Sequence, residues 1–405
     1  MIKIAILGYG TVGSGVYEVL TRNRDIVAKN VGEEVEVKYV LDLREFPGDP
    51  VEKVLVHDYE VIANDPEVAV VVEVMGGTKP AYEFVKRALM AGKAACTSNK
   101  ALVAAHGPEL LAIASEHNSN FLFEASCGGG IPIIRPLHTC ITADEIDGVS
   151  GILNGTTNYI LTRMKDAGIE FADALKEAQD LGYAERDPSA DVNGWDTCRK
   201  ISILSSIAYG KHVDFEQVYT EGISDITSTD LFYAKEWGAA VKLLGTSKKL
   251  GDTCYVMVSP VMIGRDNPLY PVDDVYNGII VHGNMLGTSM FFGSGAGKLP
   301  TASAVAADVV EAARNLTTCV QADWSSEPLP MMGIEEIQHR FFVRLAGTMY
   351  EELPAVEKVF GKVDAKILPG RTDEFAFITG VMTEASFREK ASIFKGIISR
   401  IRVDM

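Results

Sequence analysis

Ile2-Lys3-Ile4-Ala5-Ile6-Leu7-Gly8-Tyr9-Gly10-Thr11-Val12-Gly13 opens the chain and decides its first fold. The isoleucine-rich run reads as a buried strand, glycines follow at 8, 10 and 13, and Ser14 to Arg22 carries Val16, Val19 and Leu20 on one helical face. A lone GxGxxG says little; strand, glycines and helix in this order mark a dinucleotide-binding turn. Gly8 permits the tight turn, Gly10 lets a pyrophosphate approach the backbone, and Gly13 lets helix and strand pack closely. The helix N-terminus then offers free N–H groups to the anion.

Outward from this turn, Val35 to Leu41 is the expected second strand, ending in Asp42. A carboxylate there bonds a ribose hydroxyl and repels a 2′-phosphate, which favours NAD. Arg44, two residues on, is within reach of such a phosphate, so the sequence leaves NAD and NADP both open. Val68 to Val74 is a β-branched run, as in a strand covered on both faces. Gly76-Gly77-Thr78 breaks it, and a helix from Tyr82 to Ala91 follows. A strand Ala94–Thr97, the turn Ser98-Asn99-Lys100-Ala101, a helix from about Pro108 to His117 and a strand Phe121–Glu124 complete the pattern. Strands alternating with helices predict a doubly wound sheet of Rossmann type over residues 1–133, with ligand at the carboxyl ends of its strands. Thr78, Lys100 and Glu124 fall at such ends.

The chain leaves this sheet through Ala125-Ser126-Cys127-Gly128-Gly129-Gly130-Ile131-Pro132, either an interdomain hinge or, with Glu124, an oxygen-rich turn able to hold a hard cation. Ile146 to Leu153 reads as a strand, Asn154 to Asn158 as a polar turn, and 159–166 and 171–181 as helices. The stretch Gly182 to Lys200 is the most polar of the chain. Asp191 is the expected N-cap of a helix on which Asp196 and Lys200, four apart, share a face. Glu185, Asp187 and Asp191 lie just upstream. One ammonium among carboxylates suits a small amino acid with a reactive carbonyl; a solvated face is the alternative reading. Strands near 254–263, 278–282 and 285–292 precede a second glycine turn, Gly293 to Thr301, and a helix over 302–313. Residues 134–320 thus read as a second, α+β domain. The last unit, 335–405, reads βαββαβ, a ferredoxin-like order.

Composition narrows the function classes. The chain has 405 residues, 47% of them apolar, enough for two or three domains. No apolar run spans a membrane. A net charge of -17 argues against nucleic acid as partner. Six cysteines without CxxC or zinc spacing fit reduced thiols and a cytoplasmic location. Seven scattered histidines form no HExxH, and GxSxG is absent, so zinc and serine hydrolysis have no support.

Taken together, several motifs resemble the homoserine dehydrogenase family across nearly the whole chain: the N-terminal GxGxxG, Val74-Met75-Gly76-Gly77-Thr78, Thr97-Ser98-Asn99-Lys100, Phe123 to Pro132, Gly151 to Tyr159, Gly182 to Lys200, and Gly295 to Thr301. The resemblance implies reversible reduction of L-aspartate 4-semialdehyde to L-homoserine with NAD(P)H, a step in threonine, methionine and isoleucine biosynthesis. It implies Lys200 as acid/base with Asp196 as its partner, and Lys100 near the nicotinamide as a second proton donor. Glu185 and Asp191 would bind substrate, and residues 134–320 would be the substrate and dimerisation domain. Gly8, Tyr9, Gly10, Thr11, Val12, Gly13, Thr78, Lys100, Gly182 and Gly297 would contact the cofactor. Glu124 with the carbonyls of Cys127, Gly129 and Ile131 would hold a monovalent cation, Na⁺ first. The C-terminal unit resembles an ACT domain, which implies a homodimer or homotetramer and an amino-acid effector such as threonine. The helix 302–318 would pack back on the first domain. One departure stands out: many members carry arginine where Leu41 stands, which favours NAD here. Another Rossmann amino-acid or semialdehyde dehydrogenase, or a non-catalytic dinucleotide sensor, is the rival reading.

Overall fold

The computed structural model describes all 405 residues. Its first part contains β1 (Ile2–Leu7), α1 (Thr11–Arg22), α2 (Arg24–Val31), β2 (Val35–Leu41), β3 (Leu55–Val56), α3 (Tyr59–Ala63), β4 (Val68–Glu73), α4 (Ala81–Met90), β5 (Ala94–Thr97), α5 (Lys100–Glu116) and β6 (Phe121–Leu122). The strands form one parallel sheet in the order β3-β2-β1-β4-β5-β6. Strand order reverses between β1 and β4, and a crevice opens there at their carboxyl ends. Two expectations are corrected here. The fifth helix starts at Lys100, not Pro108, because Asn99 Oδ1 caps it by accepting the Leu102 N–H at 3.1 Å. The last strand stops at Leu122, and residues 124–126 turn away as a short 3₁₀ segment.

The middle of the chain supplies β7 (Ile146–Ile152), α6 (Gly155–Ala167), α7 (Phe171–Asp180), α8 (Ser189–Val192), α9 (Trp195–Tyr209), β8 (Tyr219–Thr220), α10 (Ser228–Glu236), β9 (Ala240–Leu250), β10 (Thr253–Ile263), β11 (Tyr276–Gly283), β12 (Gly287–Ser294) and α11 (Lys298–Arg314). The eleven-residue β9, which the sequence reading passed over, pairs along its whole length with β10. Its Gly245 admits α9: a Cβ there would lie 3.0 Å from Ile201 and 3.1 Å from both Leu153 and Thr197. Helix α11 crosses back to the first sheet and packs on α1. A Cβ on Gly15 would approach the Lys298 carbonyl to 2.8 Å, so the two backbones are in contact. Ala302, Val305 and Val309 share a buried core with Ile4, Ile6, Val16 and Leu20.

Residues 338–404 add β13 (Gln338–Ala346), α12 (Met349–Phe360), β14 (Asp364–Lys366), β15 (Glu374–Ile378), β16 (Met382–Thr383), α13 (Glu384–Ala391) and β17 (Ile397–Asp404). Strands β17-β13-β15-β14 run antiparallel, the ferredoxin-like arrangement expected from the element order. The unit is not a bead on a linker. Strand β17 pairs in parallel with β10, so one sheet runs β12-β11-β7-β9-β10-β17-β13-β15-β14. The unit's last helix, read from the sequence as running from Ser386 to Ser399, ends at Ala391, because Ile397 to Val403 are needed as sheet partners of β13. No helix is long and apolar enough to cross a membrane.

Candidate active site

Four charged side chains converge where β7 ends and α5, α8 and α9 begin. Asp196 occupies the first turn of α9, where a helix favours an anion. Lys200 stands one turn later, and both are nearly shut from solvent. Lys200 Nζ donates to Asp196 Oδ2 at 2.7 Å and to the Leu153 carbonyl at 2.8 Å. Lys100 Nζ lies 2.8 Å from Asp196 Oδ1, so one carboxylate holds two ammonium groups. Lys100 sits in the first turn of α5, the unfavourable end of a helix for a cation; Asp196 offsets that cost. Its side chain keeps 41% of its surface, and the cluster meets solvent through it.

Asp191 enters from α8. It is not the N-cap of α9, as the sequence suggested; Gly194, left-handed at φ +85°, takes that place. The short helix α8 turns the Asp191 carboxylate toward Asn154, whose Nδ2 donates to Asp191 Oδ1 at 2.8 Å and to Asp196 Oδ2 at 2.9 Å. The two carboxylates differ in electrostatics. Burial pushes the Asp196 carboxyl upward, but the charges of Lys200 and then Lys100 outweigh it and hold it well below the usual range. Burial, then the charge of Asp196, raises the Asp191 carboxyl. The Asp196 charge likewise raises Lys100, against its burial. Separated carboxyl affinities of this kind mark acid–base sites.

The glycine turn at the other end of the crevice has the geometry of a pyrophosphate cradle. Gly8 is left-handed at φ +100°, and a Cβ on Gly13 would lie 1.9 Å from the Gly8 carbonyl oxygen, whereas Gly10 faces open space. Neither α1 nor α11 has a side-chain cap: Gly10 and Gly297 stand at their N-caps, and the N–H groups of Thr11 to Gly13 and of Lys298 and Leu299 remain available. Asp42 ends β2, accepting the Tyr9 N–H at 2.8 Å and Arg44 Nε and Nη2 at 2.9 Å each. The Arg44 bonds keep its carboxyl strongly depressed. Beside this pair lies a cavity of ≈ 550 Å³ lined by Gly8, Gly10, Leu41, Asp42, Tyr59 and Phe84. Between the two ends, Glu73 is fully buried and accepts the Thr97 hydroxyl at 2.6 Å and the Met75 N–H at 2.8 Å. Asn99 donates to the Gly77 carbonyl at 2.5 Å, so the turn bearing Thr78 and the start of Lys100's helix are tied together.

This geometry has counterparts. Residues 8–124 match the family model for the homoserine dehydrogenase NAD binding domain, and residues 132–310 match that for homoserine dehydrogenase itself. The homoserine dehydrogenase of Synechocystis is 45% identical over 319 residues, covering 76% of this chain and 72% of that protein. That of Neisseria gonorrhoeae is 37% identical, covering 100% and 90%. The chain belongs to the homoserine dehydrogenase family. The solved homoserine dehydrogenase from Thiobacillus denitrificans superposes with a TM-score of 0.91 at 34% identity, covering 100% of this chain and 98% of that one. A Staphylococcus aureus homoserine dehydrogenase gives 0.81 at 31% identity, covering 100% and 99%. The family's members are NAD(P)-dependent oxidoreductases acting on a CH–OH group of a small molecule. The rival readings as another amino-acid dehydrogenase or a non-catalytic sensor are set aside.

The remaining homoserine dehydrogenase motifs fall as follows. Glu124 does not turn its carboxylate to the oxygen-rich turn: it accepts the N–H groups of Ile133, Ile134 and Arg135 at 2.6, 2.8 and 2.8 Å. The carbonyls of Cys127, Gly129 and Ile131 accept no backbone hydrogen bond, which suits a cation held by backbone oxygens. Glu185 is exposed on its loop, outside the lysine–carboxylate cluster. Gly182, φ +76°, ends α7 with open space around it. Leu153 and Asn154 escaped the sequence reading as site residues. The one signal available was an Asn before Gly-Thr-Thr at a strand-to-helix junction, which announces a cap but not its partners.

Proposed function

We propose that the chain interconverts L-homoserine and L-aspartate 4-semialdehyde, with Lys200 as the acid/base. The observation that carries this is the state of the Lys200 ammonium. It is buried, and two of its three N–H donors are fixed by Asp196 and the Leu153 carbonyl, which leaves one to aim at substrate. The bound nicotinamide supplies the hydride. As the aldehyde is reduced, negative charge grows on its oxygen; Lys200 Nζ stabilises it and delivers the proton. In the oxidation direction Lys200 receives the hydroxyl proton. Asp196 keeps Lys200 oriented, Lys100 serves as the second cation at the solvent side, and Asp191 with Glu185 takes the substrate ammonium.

Gly8 to Gly13, Thr78, Lys100, Gly182 and Gly297 would hold the dinucleotide, and the open N-termini of α1 and α11 would offer N–H groups to its phosphates. NAD is used at least as well as NADP, since Asp42 ends β2 without an arginine before it. A relative from a hyperthermophilic archaeon has been solved with NADPH, and Arg44 is the residue through which NADP would be accommodated here. The carbonyls of Cys127, Gly129 and Ile131 would hold a monovalent cation, Na⁺ first, with Glu124 bracing the turn. The protein is a cytoplasmic homodimer or homotetramer. Its residues 335–405 act as an ACT-like unit for an effector such as threonine, and residues 1–133 and 134–320 are the cofactor and substrate domains.

The test is initial-rate oxidation of L-homoserine with NAD and NADP in parallel, with and without threonine, on the full chain. Truncation is unsuitable because β17 completes the central sheet against β10. Nicotinamide reduction that depends on homoserine supports the reading, and a roughly hundredfold advantage for NADP would overturn the cofactor preference. Rates indifferent to threonine would remove it as effector.

A further inference from the structure

The lysine–carboxylate cluster has a neutral centre. Asn154 is buried at the end of β7 and is the N-cap of α6. Its Oδ1 accepts both the Thr157 N–H at 2.8 Å and the Thr157 hydroxyl at 2.9 Å. Two donors on one side fix which amide atom is oxygen, so Nδ2 must face the carboxylates. That nitrogen has two N–H groups, and each has one destination: Asp191 of α8 and Asp196 of α9. The preceding residue, Leu153, holds Lys200 through its carbonyl. Consecutive residues at one strand end therefore touch three of the four charged groups.

We propose that Asn154 is a positioning residue of the reaction, its amide clamping Asp191 and Asp196 together so that the substrate-binding carboxylate and the acid/base pair keep a fixed separation. The proposal rests on the reading of Lys200 and Asp191 given above. Two like charges drawn into one buried space repel, and only a neutral double donor can bridge them without adding a charge. Serine at 154 could still cap α6 but is too short to bridge both groups. Aspartate could cap equally well but would set a third carboxylate against the other two. A cap-only role therefore predicts two normal enzymes, and the clamp predicts two damaged ones.

The groups facing Asp191 are Asp196 and Lys200 of α9 and Lys100 of α5, while Arg199 acts on Lys100. The Asn154 bond opposes the burial that raises the Asp191 carboxyl. Without that bond, Asp191 takes up its proton at higher pH, and the acidic limb of the homoserine kcat/KM profile moves upward.

The experiment compares the parent, Asn154→Ser and Asn154→Asp in homoserine oxidation across pH, with melting temperature and NAD affinity measured alongside. Expected are a roughly tenfold loss of kcat/KM for homoserine in Asn154→Ser and a loss of roughly 10²-fold or more in Asn154→Asp. In Asn154→Ser the acidic limb should shift upward, with NAD affinity close to the parent's in both variants. Parent-like rates and an unmoved acidic limb in both variants would overturn the clamp and leave Asn154 a helix cap. A parent that fails to oxidise homoserine would remove the underlying reading and the clamp with it; normal parent and variants would remove the clamp alone.

Discussion

Of the buried clusters of opposite charges in this molecule, two contrast most directly, and only one of these two has a chemistry to perform. At the seam between α10 and the C-terminal unit, Arg344 bonds Asp230 at 2.9 Å and Glu374 at 2.7 Å, with side-chain exposures of 6%, 0% and 4%. At the end of β7, Lys200 and Lys100 share Asp196. Burial and pairing are alike, but the cation is not. A guanidinium keeps its proton throughout, while a lysine ammonium can hand one to an oxygen on which negative charge develops. The seam also closes over its charges, whereas the lysine cluster reaches solvent through Lys100. Ion pairing alone therefore does not mark a site; a proton that can be exchanged, beside an opening, does.

The sharpest division between the clusters should come from Asp196→Asn, which leaves two ammoniums without their carboxylate. Turnover should fall by roughly 10²–10⁴-fold, the usual worth of an acid/base assembly, as read by initial rates; a decrease below tenfold would make Asp196 a surface-like partner. Arg344→Ala should do the reverse. It strands two buried carboxylates, so stability should drop by about 3–5 kcal/mol in urea unfolding, with kcat per folded protein unchanged. A kcat loss at full stability would join the two clusters functionally. A smaller effect is expected at Arg44, which neutralises Asp42: Arg44→Ala should cut kcat/KM with NADP about tenfold, or ~1.4 kcal/mol, and with NAD far less. Equal losses would mean that Arg44 only holds the turn.

The smallest effect concerns pH at the start of β13. His339 lies on β13, where burial and then the Arg402 charge lower its imidazole to about 4. The unfolded chain, titrating near the ordinary value of 6.5, binds that proton first, so stability should decline as pH falls from about 6.5 toward about 4. His339→Gln should flatten this slope in thermal melts. An unchanged slope would assign the acid sensitivity to other groups.

How much of this was legible in the sequence depended on how local each interaction is. The cradle was readable because strand, glycines and helix are contiguous, and the close approach at Gly13 follows from its neighbour Gly8. Asp196 and Lys200 were readable as one helical turn. Asn154 was not, because its partners lie 37 and 42 residues away. The start of α5 was misread because Pro108 looked like a first-turn proline while Asn99 did the capping. Glu124 was expected to face a cation, but the chain folds back and the unpaired N–H groups of residues 133–135 take its oxygens. The fusion of β17 to β10 was invisible, since a strand's pattern does not name its partner.

The central claim is that Lys200 moves the proton, and the most direct measurement is single-turnover oxidation of L-homoserine by the Lys200→Ala variant beside the parent, with NAD affinity determined for each. The account predicts a loss of roughly 10²–10⁴-fold in the hydride-transfer step with NAD affinity nearly unchanged. Near-parental turnover in Lys200→Ala would contradict it, and Lys100 would then be the proton donor.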